Sequence, residues 1–154
     1  QKITKAFGPE SFVEGKPNVP YLAEKVFSDP AKVKRINSII HPVVIRKIDS
    51  LMKSLLKKHD LVFVEAALIY EASMEEMFDH VVLITASEDV RISRIQQRDK
   101  SSAEEIKNRM ENQISDDIKK THADFTFENN SRLEDLYAKA DFLIILLGSM
   151  GSDK

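Results

Sequence analysis

Two short apolar runs constrain this chain more than any other feature. Leu61-Val62-Phe63-Val64 and Val81-Val82-Leu83-Ile84-Thr85 are rich in β-branched and aromatic side chains and do not alternate with polar ones. A strand with one face in water alternates. A strand without alternation is covered on both faces, the pattern of a parallel sheet between helices. Asp124-Phe125-Thr126-Phe127 is a weaker third run. Helical segments separate them. Ser87 precedes a helix predicted over 88–98, Ser101-x-x-Glu104 and Ser102-x-x-Glu105 are overlapping capping boxes for a helix over 103–113, and Ser131-x-x-Glu134 caps a last helix running to about Leu147. This β-α-β-α-β order predicts an α/β fold with an open parallel sheet and flanking helices.

The first 58 residues have a different texture and read as all-helical. Gln1 to Phe7 ends a helix at Gly8-Pro9, and residues 8–18 read as a loop. Val19 to Phe27 carries Leu22, Val26 and Phe27 at helical spacing. Ser28-Asp29-Pro30 is a stop and a restart, with Asp29 capping the next helix and Pro30 at its first position. Val33, Ile36, Ile39 and Ile40 form an apolar stripe. His41-Pro42 then opens a long helix with Val44, Ile45, Ile48, Leu51, Met52, Leu55 and Leu56 on one face.

Composition narrows the function classes. The 154 residues include four glycines, at 8, 15, 148 and 151, where an average share predicts roughly ten or eleven. The glycine-free interval excludes a Gly-rich phosphate loop between residues 16 and 147. A net charge of −2 supplies no global basic field for nucleic acid. Without cysteine there are no disulfides, thiolate metal sites or Cys nucleophiles. The terminal apolar run from Phe142 to Leu147 is too short to span a bilayer, and the first residues lack signal-peptide organisation. The chain begins without Met, on a helix-like phrase, and is expected to start in mid-domain.

Candidate chemistry clusters after the strands. Glu65 directly follows the first run, and in open parallel sheets ligands sit at strand carboxyl ends. A carboxylate there either accepts a proton from a substrate hydroxyl or holds a metal-bound water, or it is a solvated strand-end residue. Arg91, Arg94 and Arg98 share a helix face, and Arg109 lies on the next helix. Guanidinium forks suit phosphate, but Glu88, Asp99 and Glu105 are available to make this an ordinary solvated face. His41 either caps a helix or packs in a core. His59, His80 and His122 have no metal-ligand spacing. Asn129-Asn130 follows the third strand, as a turn or a binding edge.

Taken together, these blocks resemble the dephospho-coenzyme A kinase family over residues 1 to 147. The resemblance rests on Phe7-Gly8, Gly15, Leu22-Ala23…Val26-Phe27-Ser28-Asp29-Pro30 and Ile36-Asn37-Ser38-Ile39-Ile40-His41-Pro42. It continues through Val64-Glu65-Ala66-Ala67-Leu68-Ile69-Tyr70-Glu71, Arg94-x-x-x-Arg98-Asp99, Arg109-x-x-x-Gln113 and Ala123-Asp124…Asn129-Asn130-Ser131-x-Leu133-Glu134-x-Leu136. It implies a P-loop kinase-like enzyme of the nucleoside-monophosphate-kinase type. Such an enzyme moves the γ-phosphoryl of ATP, with Mg²⁺, to the ribose 3′-hydroxyl of dephospho-coenzyme A, the last step of coenzyme A biosynthesis in the cytoplasm.

On that resemblance, residues 1–58 form the acceptor-binding block, 59–147 the α/β core with a helical lid over 95–120, and 148–154 a tail. Glu65, Arg98 and Arg109 take catalytic roles. Arg94, Asn129 and Asn130 lie against the nucleotide, and His41 and Glu71 lie on the acceptor side. The partner is a small molecule, with neither nucleic acid nor membrane involved. Rival readings are another nucleotide or nucleoside kinase of the same fold, and a non-catalytic acceptor-binding module.

This sequence departs from the family pattern at Glu65 (commonly Asp), Ala67 (commonly Pro) and Pro20 (often Arg). The family's Gly-rich phosphate loop does not occur in these 154 residues, so the chain alone is expected to be inactive. Gly148-Ser149-Met150-Gly151-Ser152-Asp153-Lys154 mimics such a loop, but Asp153 replaces its second Gly. It reads as a non-native tail, an ordinary tail or a degraded loop.

Overall fold

A computed structural model describes residues 1–27 and 29–151, and the chain divides into two compact units, residues 1–51 and 52–154. The expected stop at Ser28 and the tail's Ser152-Asp153-Lys154 lie outside the described residues.

In the first unit, α1 (Lys2–Phe7) stops at Gly8, whose φ of 99° lies in the left-handed region. A Cβ at that position would meet Glu10 Oε2 at 2.8 Å and Tyr21 Oη at 3.1 Å, so glycine serves both the backbone and the fit. The stretch expected as loop contains a short 3₁₀ turn (Pro9–Ser11) and a small antiparallel hairpin, β1 (Phe12–Val13) with β2 (Lys16–Pro17). Its two-residue connection, Glu14 and Gly15, has φ of 50° and 77°, the conformation that matches strand twist. The α2 helix (Val19–Phe27) is tied back to α1 by Tyr21 Oη, which donates to Phe7 O at 2.7 Å. Phe7 and Val26 are buried.

Asp29 accepts from Ala31 N at 2.9 Å and caps α3, with Pro30 at its first position, as the sequence indicates. His41-Pro42 does not open a new helix, however. α3 (Pro30–Leu55) runs through Pro42 unbroken for 26 residues. An interior proline forfeits one ladder hydrogen bond and costs about 3 kcal/mol, but it does not end a helix whose neighbouring turns remain bonded on both sides. None of the described residues of α3 is fully buried.

The second unit is an α/β arrangement of helices around a small parallel sheet. β3 (Val82–Thr85) pairs in parallel with β4 (Phe125–Glu128), in the register Val82 with Phe125 through Thr85 with Glu128. Asp124 fastens the amino end by accepting from Val81 N at 2.7 Å. Asn129 N extends the carboxyl end by donating to Thr85 O at 2.7 Å. The crossover holds α4 (Glu88–Asp99), α5 (Ala103–Glu111) and α6 (Asp116–His122). The helix expected over 103–113 is α5, ending at Glu111, and α6 has no counterpart in the sequence reading. Ser115, accepting from Ile118 N at 3.4 Å, starts the separate α6. α7 (Leu133–Gly151) runs past the expected end at Leu147 and through Gly148.

Leu61-Val62-Phe63-Val64 is the main correction. It is not hydrogen-bonded into the sheet, which has two strands among the described residues. Non-alternating apolar character predicts cover on both faces, yet Phe63 is 59% exposed and Ile84 56% exposed. A strand exists only as a ladder with a neighbour. Here β3 has β4 on one side and no second partner among the described residues. The core of this unit is Met74, Val81, Ile106, Leu143 and Leu147.

Of the two overlapping capping boxes, the structure uses Ser102 and Glu105. Ser102 Oγ accepts from Glu105 N at 3.2 Å, and Glu105 Oε2 accepts from Ser102 N at 2.8 Å. The Ser102 backbone hydrogen bond, then its side chain, holds the Glu105 carboxyl below its ordinary value of 4.5. The sign follows: this contribution is present above pH 4.5 and is lost as pH falls through the lower folded value. Glu105→Gln is expected to lower Tm slightly at neutral pH and to leave it nearly unchanged at the acid end, which flattens the acid limb of the Tm-versus-pH curve. An unaltered acid limb in calorimetry would count against the box.

Candidate active site

A cavity of about 530 Å³ runs along β3 from Val81 to Ala86 and faces residues 63–70. Its polar wall consists of Glu65, Arg91, Gln113, Asp116, Lys119 and Asn129. The β3–β4 pair explains the location. At the carboxyl end of a parallel pair the chain must leave the sheet, so backbone and side-chain polar groups converge there.

Several of the expected site residues meet at this edge. Arg94 Nη1 donates to Asn129 O at 2.8 Å, and its Nη2 reaches Ser131 O at 3.5 Å. Asn130 Oδ1 accepts from Ser87 N at 2.7 Å, joining the turn after β4 to the start of α4. Arg94 thus holds the Asn129 and Ser131 carbonyls of the turn after β4, and Asn130 of the same turn holds Ser87. Glu65 is exposed on the cavity wall. Arg98 is turned to solvent and forms a bidentate pair with Asp99 at 2.7 and 2.9 Å. That hydrogen bond first, then the charges of Arg98 and Arg109, hold the Asp99 carboxyl below its usual range. Arg109 is an exposed residue of α5. His41, partly exposed on α3, belongs to the first unit.

Glu71 is drawn inward. Its Oε1 accepts from Ile114 N at 3.0 Å and pairs with Lys119 Nζ at 2.8 Å. Its Oε2 is buried without a partner among the described residues, as are Tyr70 Oη and Glu75 Oε2. Burial first, then the Asp124 and Glu75 carboxylates, push the Tyr70 hydroxyl pKa upward.

The carboxylates set against the arginine face are distributed differently from a simple solvated stripe. Asp99 engages Arg98, Glu105 is occupied in the capping box, and Glu88 pairs with Lys107 at 3.4 Å. Arg91 instead crosses to Asp116 at 3.2 Å, on α6. Asp116 and Lys119 were not singled out from sequence. Their partners lie 25 or more residues away, so no local spacing marks them.

The fold and cavity define a class: an α/β protein, consistent with a P-loop kinase-like fold, with its polar cavity beside a parallel strand pair. The family model for dephospho-CoA kinase matches residues 1–135. A dephospho-CoA kinase from Chlamydia caviae is 33% identical over 143 residues, covering 92% of this chain and 71% of that protein. One from Salinibacter ruber is 34% identical, covering 90% of this chain and 70% of that protein. Among solved structures, dephospho-CoA kinase from Campylobacter jejuni matches with a TM-score of 0.64 at 30% identity, covering 95% of this chain and 74% of that one. A crystal structure from Thermus thermophilus matches at 0.72 and 32%, covering 93% and 74%. The chain belongs to the dephospho-CoA kinase family and is, by family, a phosphotransferase.

Proposed function

We propose that this protein transfers the γ-phosphoryl group of ATP to the ribose 3′-hydroxyl of dephospho-coenzyme A. The carrying observation is the cavity beside β3, where the Glu65 carboxylate faces a wall containing Arg91, Lys119 and Asn129 in a chain of this family. The acceptor 3′-oxygen forms a bond to the γ-phosphorus, the bond from that phosphorus to the β–γ bridging oxygen breaks, and ADP leaves. Glu65 receives the hydroxyl proton. Arg98 exchanges its exposed Asp99 partner for a phosphate, and Arg109 approaches from the lid over 95–120. Their forks match phosphate oxygens bidentately and offset charge that grows in transfer. Arg94, Asn129 and Asn130 line the nucleotide side, while His41 serves the acceptor side within a helical block over 1–58.

Mg²⁺ fits this donor set, because it takes one or two carboxylates and completes its shell with water and substrate phosphate. Glu65 would reach the ion through one of its waters, which leaves the carboxylate able to take the proton, and the ion would neutralise phosphate charge. Among the described residues no group of three or more His, Cys, Asp or Glu forms an all-protein cage.

A coupled ADP-release assay with dephospho-coenzyme A tests the reading. The full encoded polypeptide is expected to release ADP in proportion to that acceptor. The 154 residues assayed by themselves are expected to turn over very slowly, because positioning dominates phosphoryl transfer and residues 16–147 supply no Gly-rich cradle. Turnover of a nucleoside monophosphate in preference to dephospho-coenzyme A would replace the proposed acceptor. Acceptor binding in calorimetry without ADP release by the full polypeptide would replace the enzyme reading with a binding module.

A further inference from the structure

We infer that Glu71 is a positioning residue, a clamp that ties the turn following Glu65 to the start of α6, where the α5 arm ends. This rests on the proposed function and assigns Glu71 a role through other residues rather than through contact with the acceptor. Three observations converge. The segment from Leu68 to Met74, which begins three residues after Glu65, is tightly wound: Ala72 N donates to Leu68 O at 3.0 Å, Ser73 N to Tyr70 O at 3.1 Å and Met74 N to Ile69 O at 2.9 Å. Met74 is 3% exposed, so the tail of this segment is anchored. Glu71 therefore sits inside a wound turn that directly follows the Glu65 segment in the chain.

The other side of the clamp is equally compact. Three successive residues at the start of α6 each hold a defined bond. Ile114 N donates to Glu71, Ser115 caps the helix and Asp116 accepts from Arg91 of the cavity wall. One turn further, Lys119 closes on the same Glu71 oxygen. The side chains of the pair are 8% and 12% exposed, too enclosed for the oxygen to turn outward to a substrate without leaving an ammonium unpaired. Elsewhere the arm is held by buried Ile106 and by the exposed Lys107–Glu88 pair, and an exposed pair contributes little. The carboxylate thus ties the turn that follows Glu65 to the start of α6, whose Asp116 holds Arg91 of the cavity wall. Misplacement of reacting groups by about 1 Å costs on the order of 10²-fold in rate.

The test compares Glu71→Gln, Lys119→Met, the double variant and Lys119→Arg in the full encoded polypeptide. Each of the first two is expected to lower kcat by about 10- to 100-fold with little change in KM for dephospho-coenzyme A. The double variant should fall no further than the worse single, and Lys119→Arg should recover most of the lost kcat. A raised KM with unchanged kcat in Glu71→Gln, together with a silent Lys119→Met, would make Glu71 an acceptor contact and overturn the inference. Hydrogen exchange of the unmutated protein gives a readout that needs neither folding of a variant nor turnover. The Ile114 amide should be protected, and exchange there as fast as at exposed loop amides would overturn the clamp. Absence of turnover in the unmutated protein would sink the proposed function while leaving the exchange result to decide the clamp.

Discussion

Glu65→Gln in the full encoded polypeptide lowers kcat for dephospho-coenzyme A phosphorylation by about 10²- to 10⁴-fold, the range supplied by a positioned general base. The substitution keeps the shape and hydrogen-bonding reach of the side chain but removes its ability to take a proton. Because Glu65 is exposed on the cavity wall, Tm should move little. KM for the acceptor should change much less than kcat, since the lost interaction belongs to the transition state. A less than threefold change in kcat would remove Glu65 from chemistry and leave it a solvated strand-end residue. Glu65→Asp separates two contributions: recovery of activity would show that the carboxylate matters more than its reach.

Lys119→Ala is expected to destabilise the second unit by about 3–5 kcal/mol, the usual cost of leaving a buried charge without its partner. Glu71 Oε1 would retain the Ile114 amide but lose the ammonium at 2.8 Å, with Oε2 already lacking a partner among the described residues. Lys119→Ala/Glu71→Ala should be less destabilising than the sum of the two single changes, because the second substitution removes the orphaned charge. Denaturant unfolding reads both effects. Additivity of the two substitutions would mean that the pair is not coupled. This expectation concerns stability, whereas the kinetic split among the Glu71 and Lys119 variants concerns position, so the two can fail separately.

The loop-proximal elements were legible because their determinants are local. Asp29-Pro30 marks a helix start within two residues, and Ser102 with Glu105 does so within three. The run Val81 to Thr85 marks a strand of a parallel pair because its β-branched residues suit a pleated ladder, although Ile84 stays 56% exposed. The same reasoning misled at Leu61–Val64. Apolar character reports a preference for cover, while strand formation needs a neighbouring edge that no local pattern supplies. At Pro42 the local helix-breaking signal was outweighed by bonded turns on either side.

The candidate site divides along the same line. Arg94, Asn129 and Asn130 were recognisable as motif residues, and the parallel crossover brings Arg94 against the turn that carries the two asparagines. Arg98 carried the same phosphate signal yet turns to its sequence neighbour Asp99. Glu71 was readable as a motif carboxylate, but its direction was not. What the sequence alone determined is the family, the α/β class, the strands at 82–85 and 125–128, and the starts at Asp29 and Ser102, whereas the caps expected at Ser87 and Ser131 make no side-chain bond among the described residues. What only the tertiary structure decided is which charges face one another: Glu71 with Ile114 and Lys119, and Arg91 with Asp116. Those pairings depend on how a three-helix crossover returns to the sheet, and the energy that selects them comes from burial and long-range charge rather than from local backbone preference.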